Sequence, residues 1–364
     1  MRLIFLDKDF ETIGSMSVYS SLIWDRRYYE PGVFELHASV EYFSLMNNAR
    51  YLFRNDRHEL GVIREVEYTQ TDKGERTAYC KGYFAEKLLD ERVTDTTFNM
   101  TGTPEEISRA LVTQYFISPA EPDRAMSHIV LGELNNVGTS IKKQNTGDPI
   151  GELMFDIEQT QELSHRLVFD YEDNLLRLEV WKGLDRTDEQ TENSWAVFSD
   201  AFKNVKDVVY DRDESEYKNY AYVAGEGEGA ARKKVEVDIR TDPNEERREI
   251  YVDARDLQQT TDEHSYTDAQ YLDLLRQRGK EKLAEYDLIE TVSSNIETLA
   301  NLVYGVDYDL GDRCTYQNLD VGIECTKRIT EIEEVYEGAK VTLNITFGTD
   351  NATSIHKIIK KEIS

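Results

Sequence analysis

What is scarce in this chain of 364 residues narrows its possible roles before any motif is read. Proline occurs only 6 times, and no Pro-rich or Gly/Ser-rich stretch marks a flexible linker, so the domains are expected to be packed together or interleaved. Cysteine occurs 3 times, at Cys80, Cys314 and Cys325, an odd number without metal-ligand spacing. Cys314 and Cys325 are placed to approach each other across a hairpin, but a cytoplasmic origin favours free thiols. That origin is expected because the opening apolar run, Leu3-Ile4-Phe5-Leu6, stops at Asp7-Lys8-Asp9, too soon for a secretory leader. No run approaches the ~20 apolar residues of a membrane span. Basic residues are outnumbered, 43 against 71 acidic, giving a net charge of −28. Such a surface repels phosphate and argues against specific nucleic-acid binding. The acid then serves solubility, or lines a passage in which nucleic acid slides without sticking.

Catalytic patterns are equally scarce. The six histidines, His37, His58, His128, His165, His264 and His356, are scattered, so a zinc site would need ligands from distant segments. The loop Gly225-Glu226-Gly227-Glu228-Gly229-Ala230 formally matches a dinucleotide fingerprint. It precedes a strand-like stretch, Val235-Glu236-Val237-Asp238-Ile239, where that motif needs a helix N-terminus, and its two glutamates would repel a pyrophosphate. It reads as a hairpin tip. Asp307-Tyr308-Asp309-Leu310-Gly311-Asp312 lacks the ligand ladder and closing Glu of a calcium loop. With this many carboxylates, some pair at glycosidase separation carries no information. There is no nucleophile elbow and no phosphate-binding loop. No cofactor and no metal is expected, and no residue can be named as catalytic.

Strand patterns dominate what is present. Residues 1–95 hold short alternating runs (2–6, 12–18, 33–37, 62–68 and 78–84) joined by tight turns such as Asp72-Lys73-Gly74, as in a small antiparallel barrel. Residues 96–204 read as an α+β domain. Thr103-Pro104-Glu105-Glu106 is a capping box opening a helix with Ile107, Leu111 and Tyr115 on one face. A second helix follows Asp148-Pro149 with Ile150, Leu153, Met154 and Ile157 inward, and 166–171 with 175–181 form a hairpin. Strand patterns return at 205–245 and 288–350, read together as a second, split barrel. Between them 246–287 is a helical insertion, with Leu272, Leu275, Leu283 and Tyr286 on its inner side and Gly279 within its helix. The fold class expected is α+β, mainly β, with two barrels that could be diverged copies. Residues 351–364 form a C-terminal helix with Ile355, Ile358, Ile359 and Ile363 on one face and Lys357, Lys360 and Lys361 opposite. It packs on its own chain or docks a neighbouring protein.

Trp24-Asp25-Arg26-Arg27-Tyr28-Tyr29-Glu30-Pro31-Gly32-Val33-Phe34-Glu35-Leu36-His37 is similar to a recurrent stretch in siphovirus and prophage tail-tip hub proteins. Later features follow the order of that family: a Gly-Val-Ile strand and its hairpin at 61–83, Leu88-Leu89-Asp90-Glu91-Arg92, Ile250-Tyr251-Val252-Asp253-Ala254-Arg255-Asp256, Leu310-Gly311-Asp312, Arg328-Ile329-Thr330-Glu331-Ile332, and Ile345-Thr346-Phe347-Gly348. Read locally, Glu30-Pro31-Gly32 suits a tight turn in which Gly accepts positive φ, with Trp24, Tyr28 and Phe34 packing across the strands it joins.

The resemblance implies a structural hub, typically a homotrimer in which each chain supplies two tail-tube-like barrels, making a pseudo-sixfold ring at the end of the tail. The partners it implies are the distal tail protein ring and a tail fibre, receptor-binding or lysin protein, with DNA passing through a channel. The resemblance places it in the virion, at the tail tip, without enzymatic activity. Many relatives continue into a lysin or host-binding extension where this chain stops, so that function is expected in a separate protein, with the isoleucine face at 353–363 as its dock. Two other readings are a tail-associated cell-wall-degrading enzyme, for which no motif is found, and a carbohydrate-binding adhesin, which rests on the 22 tyrosines alone.

Overall fold

The computed structural model describes residues 1–74, 76–260, 265–296 and 301–348. The first stretch is β-rich: β1 (Leu3–Leu6), β2 (Thr12–Met16), β3 (Ser21–Arg27), β4 (Val33–Ser39), the short helix α1 (Phe43–Asn48), β5 (Tyr51–Arg54), β6 (Leu60–Gln70) and β7 (Arg76–Phe84). The period-2 rule explains these strands. In β4, Phe34, Leu36 and Ala38 are buried while Val33, Glu35 and His37 stay half-exposed on the other face.

A mixed region follows, made of β8 (Phe98–Gly102), α2 (Pro104–Val112), β9 (Ile129–Leu131), β10 (Ile141–Asn145), α3 (Ile150–Gln159), β11 (Ser164–Asp170) and β12 (Leu175–Trp181). The capping box at α2 is complete, because Thr103 accepts from the Glu106 amide and the Glu106 side chain accepts from the Thr103 amide. Ile107, Leu111 and Tyr115 from this helical stretch and Ile150, Leu153, Met154 and Ile157 from α3 share one core. That core also takes Ile4, Leu6 and Val62, so the mixed region is built onto the first β-region.

The chain then forms β13 (Val197–Ser199), β14 (Val205–Asp213), β15 (Tyr220–Ala224), β16 (Lys234–Asp238), β17 (Glu249–Asp253), α4 (Asp268–Ala284), β18 (Ile289–Ile296), β19 (Arg313–Asn318), β20 (Ile323–Glu337) and β21 (Lys340–Phe347). Here two expectations need correction. Strands β15 and β16, assigned from the sequence to the second barrel, instead pair with β17 in a separate three-stranded sheet under α4. Their alternation announces strands but not which sheet they join. What fixes the choice is a shared core of Val223, Val237, Val252, Tyr271, Leu274, Leu275 and Leu283. Gly279 lies at the contact: a Cβ there would stand 2.6 Å from Val237 and 2.7 Å from Val223, so the helix reaches the sheet only with glycine.

The second correction concerns the barrels. Thirteen strands form one sheet with the path β14-β18-β21-β20-β3-β4-β7-β6-β5-β1-β2, and β19 and β13 continue from the first part of β20. Among the described residues the path is open at both ends, so neither half closes on itself. The reason is that β20 pairs with β3, and the two halves spend an edge on each other.

The two halves repeat one topology. In the first, the spatial order is β3-β4-β7-β6-β5-β1; in the second it is β14-β18-β21-β20-β19-β13. Ranked by position in the chain, the two orders are identical and run the same way along the sheet. One pairing differs in sense: β13 is parallel to β19, whereas β1 is antiparallel to β5. Both β6 and β20 carry a bulge, at Arg64 and Thr330, beyond which each strand leaves its first partner. The β15–β17 sheet and α4 are an insertion in the β14–β18 connection, which corresponds to the short loop holding Glu30-Pro31-Gly32.

Candidate functional site: the seam between the two halves

The seam is the antiparallel pair β20–β3, with Glu331 opposite Arg27, Glu333 opposite Asp25, Glu334 opposite Trp24 and Val335 opposite Ile23. The stretch 24–37 is therefore the first half's side of this joint, not merely a hairpin. Trp24 is fully buried against Phe84 and Phe34, with ring centroids 4.6 and 5.9 Å away. Tyr28, expected beside them, packs instead in the second half's core, edge-on to Trp181 at 4.9 Å. Gly32 is not at positive φ either. It is required because a Cβ would stand 2.4 Å from the Asp25 carbonyl and 2.5 Å from the Phe84 ring.

On the core side of the seam, charges sit in positions that alternation reserves for apolar residues. The Arg54 guanidinium is inaccessible to solvent, lies over the Trp24 ring at 5.2 Å and donates to Glu334 at 3.1 Å. Arg57 reaches the other oxygen of Glu334 at 2.8 Å. Arg26 pairs with Glu59 at 2.5 Å and with Asp309 at 2.6 Å, and donates to the Tyr304 hydroxyl at 2.8 Å. Burial by itself would raise Glu59, but the charges of Arg26 and His58 overcome it and hold the carboxyl well below the usual range. The network ties β3, β5 and the β5–β6 loop to β20 and to the loop before β19. Beside it opens a groove of about 380 Å³ lined by Asn55, Arg57, His58, Tyr304 and Asp309. These charges already have partners, so the groove is the rim of a joint.

The opposite face of the sheet is continuous across both halves. Following the register, one row runs Val209–Ser293–Thr346–Glu331–Arg27, the next Lys206–Asn295–Asn344–Glu333–Asp25–Val33–Tyr83, and a third Thr342–Val335–Ile23–Glu35–Lys81–Glu65. Along β14, β20, β3, β4 and β6 this face carries Asp211, Asp213, Glu331, Glu333, Glu337, Asp25, Glu35, Glu65 and Glu67. Its cations are Lys206, Arg27, Lys81 and Lys340. The face is therefore net negative along its whole width. At its centre burial, and then the neighbouring Glu331, push Asp25 up to about 8 against the pull of Arg27.

Other sequence candidates resolve into structural ties. The Gly225–Ala230 loop links antiparallel β15 and β16, and the Glu226 amide donates to the Tyr271 hydroxyl at 2.9 Å. The loop holds only a three-residue 3-10 turn, Gly229–Ala231, before β16, and not the helix N-terminus that would hold a phosphate. Asp312 pairs with Arg186 at 2.7 Å and accepts from the Leu184 amide at 2.8 Å, joining the end of the mixed region to β19. The three cysteines are free thiols. Cys325 stands opposite Tyr316 and Cys314 opposite Lys327, a register that offsets the two by two residues. Inside the mixed region Ser108, Glu158 and His165 are hydrogen-bonded in a row, Ser108 to Glu158 at 2.6 Å and His165 Nδ1 to Glu158 at 2.8 Å. The carboxylate stands between serine and histidine, so the imidazole does not touch the hydroxyl as it does in a serine nucleophile, and all three are buried. Among the described residues no three His, Cys, Asp or Glu side chains converge as metal ligands would. Ile355, Ile358, Ile359 and Ile363 lie outside the described residues.

The family model of the siphovirus ReqiPepy6 Gp37-like proteins matches residues 2–349. The chain belongs to this siphovirus tail protein family. No curated protein matches it in sequence. Its fold is that of solved tail proteins. The tail protein from Neisseria meningitidis MC58 has a TM-score of 0.58 at 13% identity over 96% of each chain. The 43 kDa tail protein of prophage MuSo2 from Shewanella oneidensis has a TM-score of 0.57 at 10% identity, over 95% of this chain and 98% of that one. Prophage tail protein gp18 from Listeria monocytogenes EGD-e has a TM-score of 0.55 at 13% identity over 99% of each. The seam was hidden in the sequence of this tail protein for a definite reason. Arg26, Arg54 and Glu334 sit at core phase in strands, and their partners lie up to 283 residues away. The available signal was a charge where alternation calls for an apolar side chain.

Proposed function

We propose that the protein is a structural hub at the phage tail tip, a homotrimer whose six half-sheets form a pseudo-sixfold ring ending the tail tube. The observation that carries this is the repeat of one strand order in two halves of the sheet. A chain with two equivalent halves is suited to match a sixfold tube with three copies. In this reading each half is one barrel-like module, and the distal tail protein ring contacts one side of the hub. The acidic face lines the channel, where its negative field keeps DNA mobile. The buried charge network keeps the two halves of one chain in fixed relation while the ring bears load.

The role is structural and non-enzymatic. A tail fibre, receptor-binding or lysin protein attaches at the distal side, with Ile355, Ile358, Ile359 and Ile363 as its dock. Deleting residues 352–364 should abolish co-purification with that partner and leave the number of copies in the hub unchanged; unchanged co-purification excludes the dock. The ring itself is tested by light scattering of the full chain across a concentration series. A mass three times that of the chain is expected, and a monomer at every concentration contradicts the ring.

A further inference from the structure

The chain makes the junction between halves once and leaves its counterpart unmade. Beyond its bulge, β20 takes β3 as a partner on the edge that β19 has vacated. Among the described residues of the first half, β5 pairs with β6 only at Leu60–Val62, and beyond the bulge at Arg64 the stretch 65–70 pairs with β7 alone. At the other end of the sheet, β14 pairs with β18 alone among the described residues. The two unmade edges are thus the third strand of one half's core sheet and the first strand of the other's, the same two roles that meet in β20–β3.

Resting on the hub reading, we propose that 65–70 of β6 pairs antiparallel with β14 of a second copy of this chain, repeating between copies the β20–β3 seam within each copy. The repeat fixes the register. The row Ile23–Glu35–Lys81–Glu65 of the first half corresponds to Val209–Ser293–Thr346–Glu331 of the second. Glu65 then stands for Glu331, Tyr68 for Glu334, Val209 for Ile23 and Tyr210 for Trp24. The seam pair Glu334–Trp24 becomes Tyr68 opposite Tyr210.

Both tyrosines are on the core side of their strands, since Tyr68 is opposite Ala78 and Tyr210 is opposite Val292, both buried. Yet they are 41% and 37% exposed, although the Phe43 ring of α1 lies 5.8 Å from Tyr68. A core-side aromatic left in solvent at each unmade edge is what a missing neighbour strand would cover, and an aromatic cross-strand pair is a favourable one. Pairing also removes two open edges that would otherwise template aggregation. The contact is head-to-tail, joining different surfaces of successive copies, so one repeated rotation closes it into a ring.

The test combines Tyr68→Cys with Tyr210→Cys in the full chain and applies mild oxidation, with the unsubstituted chain and each single variant as controls. Covalent trimers from the double variant, absent from the controls, are expected. A protein that is trimeric by native mass but yields no covalent product overturns the edge pairing and leaves the hub reading standing. A chain that is monomeric at every concentration overturns both. Should the cysteines disturb folding, Tyr68→Glu gives an independent reading. It is expected to weaken trimer association at least about tenfold with an unchanged melting temperature, and an unchanged association constant overturns the proposal.

Discussion

Glu334, 2% exposed, accepts from Arg54 and Arg57 across the seam, and neither arginine has another fully buried carboxylate to turn to. Removing one member of a buried ion pair leaves its partner charged and dry, at a cost of about 3–5 kcal/mol. Glu334→Gln should therefore destabilise the protein by roughly 3 kcal/mol in urea unfolding, while Glu337→Gln, exposed at the end of the same strand, should be near neutral. Asp25 behaves in the opposite sense. The folded protein keeps its proton up to about pH 8, whereas the unfolded chain releases it near the ordinary aspartate value of 3.8. Unfolding thus releases a proton in that window, and stability falls as pH rises from about 4 to about 8. Asp25→Asn should flatten this slope, raising the melting temperature at pH 8 by about 3 °C and leaving it little changed at pH 4. An unaltered pH slope contradicts the assignment. Neither role was legible in the sequence, where Asp25 and Arg26 look like two more charges in a charged chain. Arg26 finds its partners in Glu59, 33 positions on, and in Tyr304 and Asp309, 278 and 283 positions on, none of which local alternation points to.

At the scale of elements, legibility followed the locality of the signal. Helices α2, α3 and α4 were readable because a 3.6-residue apolar period lies within one segment, and at α2 a capping box marks the start as well. For α4 the true cap is Thr267 with Gln270, and Tyr271 and Leu274 join Leu275 and Leu283 in facing its sheet. Hairpins such as β11–β12 were readable for the same reason. Sheet membership was not, because β15 and β16 alternate as strands of either sheet would. The Gly279 contact explains a glycine that helix propensity alone counts as a flaw. Gly279→Leu should force α4 away from Val223 and Val237 and cost about 1–3 kcal/mol. Hydrogen exchange should show the loss confined to β15–β17 and α4; a loss spread evenly over the seam strands contradicts an insertion with its own core.

At the scale of the whole molecule, the strand order shared by the two halves has no counterpart in residue identity, which is why no internal repeat is visible in the sequence. What persists is topology, the bulge placement and the side of the sheet on which the acid falls. The whole-chain resemblance through 24–37 reached the family without revealing the seam, and the geometry in turn shows what that stretch does in the fold. Trp24, Arg26 and Tyr28 each face a joint between parts of the molecule, and Gly32 lets the turn pass the Asp25 carbonyl and the Phe84 ring. The net charge of −28 acquires a place as well, since carboxylates from both halves share one uninterrupted face. The measurement that tests this account most directly is an averaged electron-microscopy map of the assembled tail end. It should show three copies of the chain as six half-sheets around the axis, with Glu35, Glu65, Glu331 and Glu333 turned toward the channel. Another copy number, or that face turned outward, would contradict it.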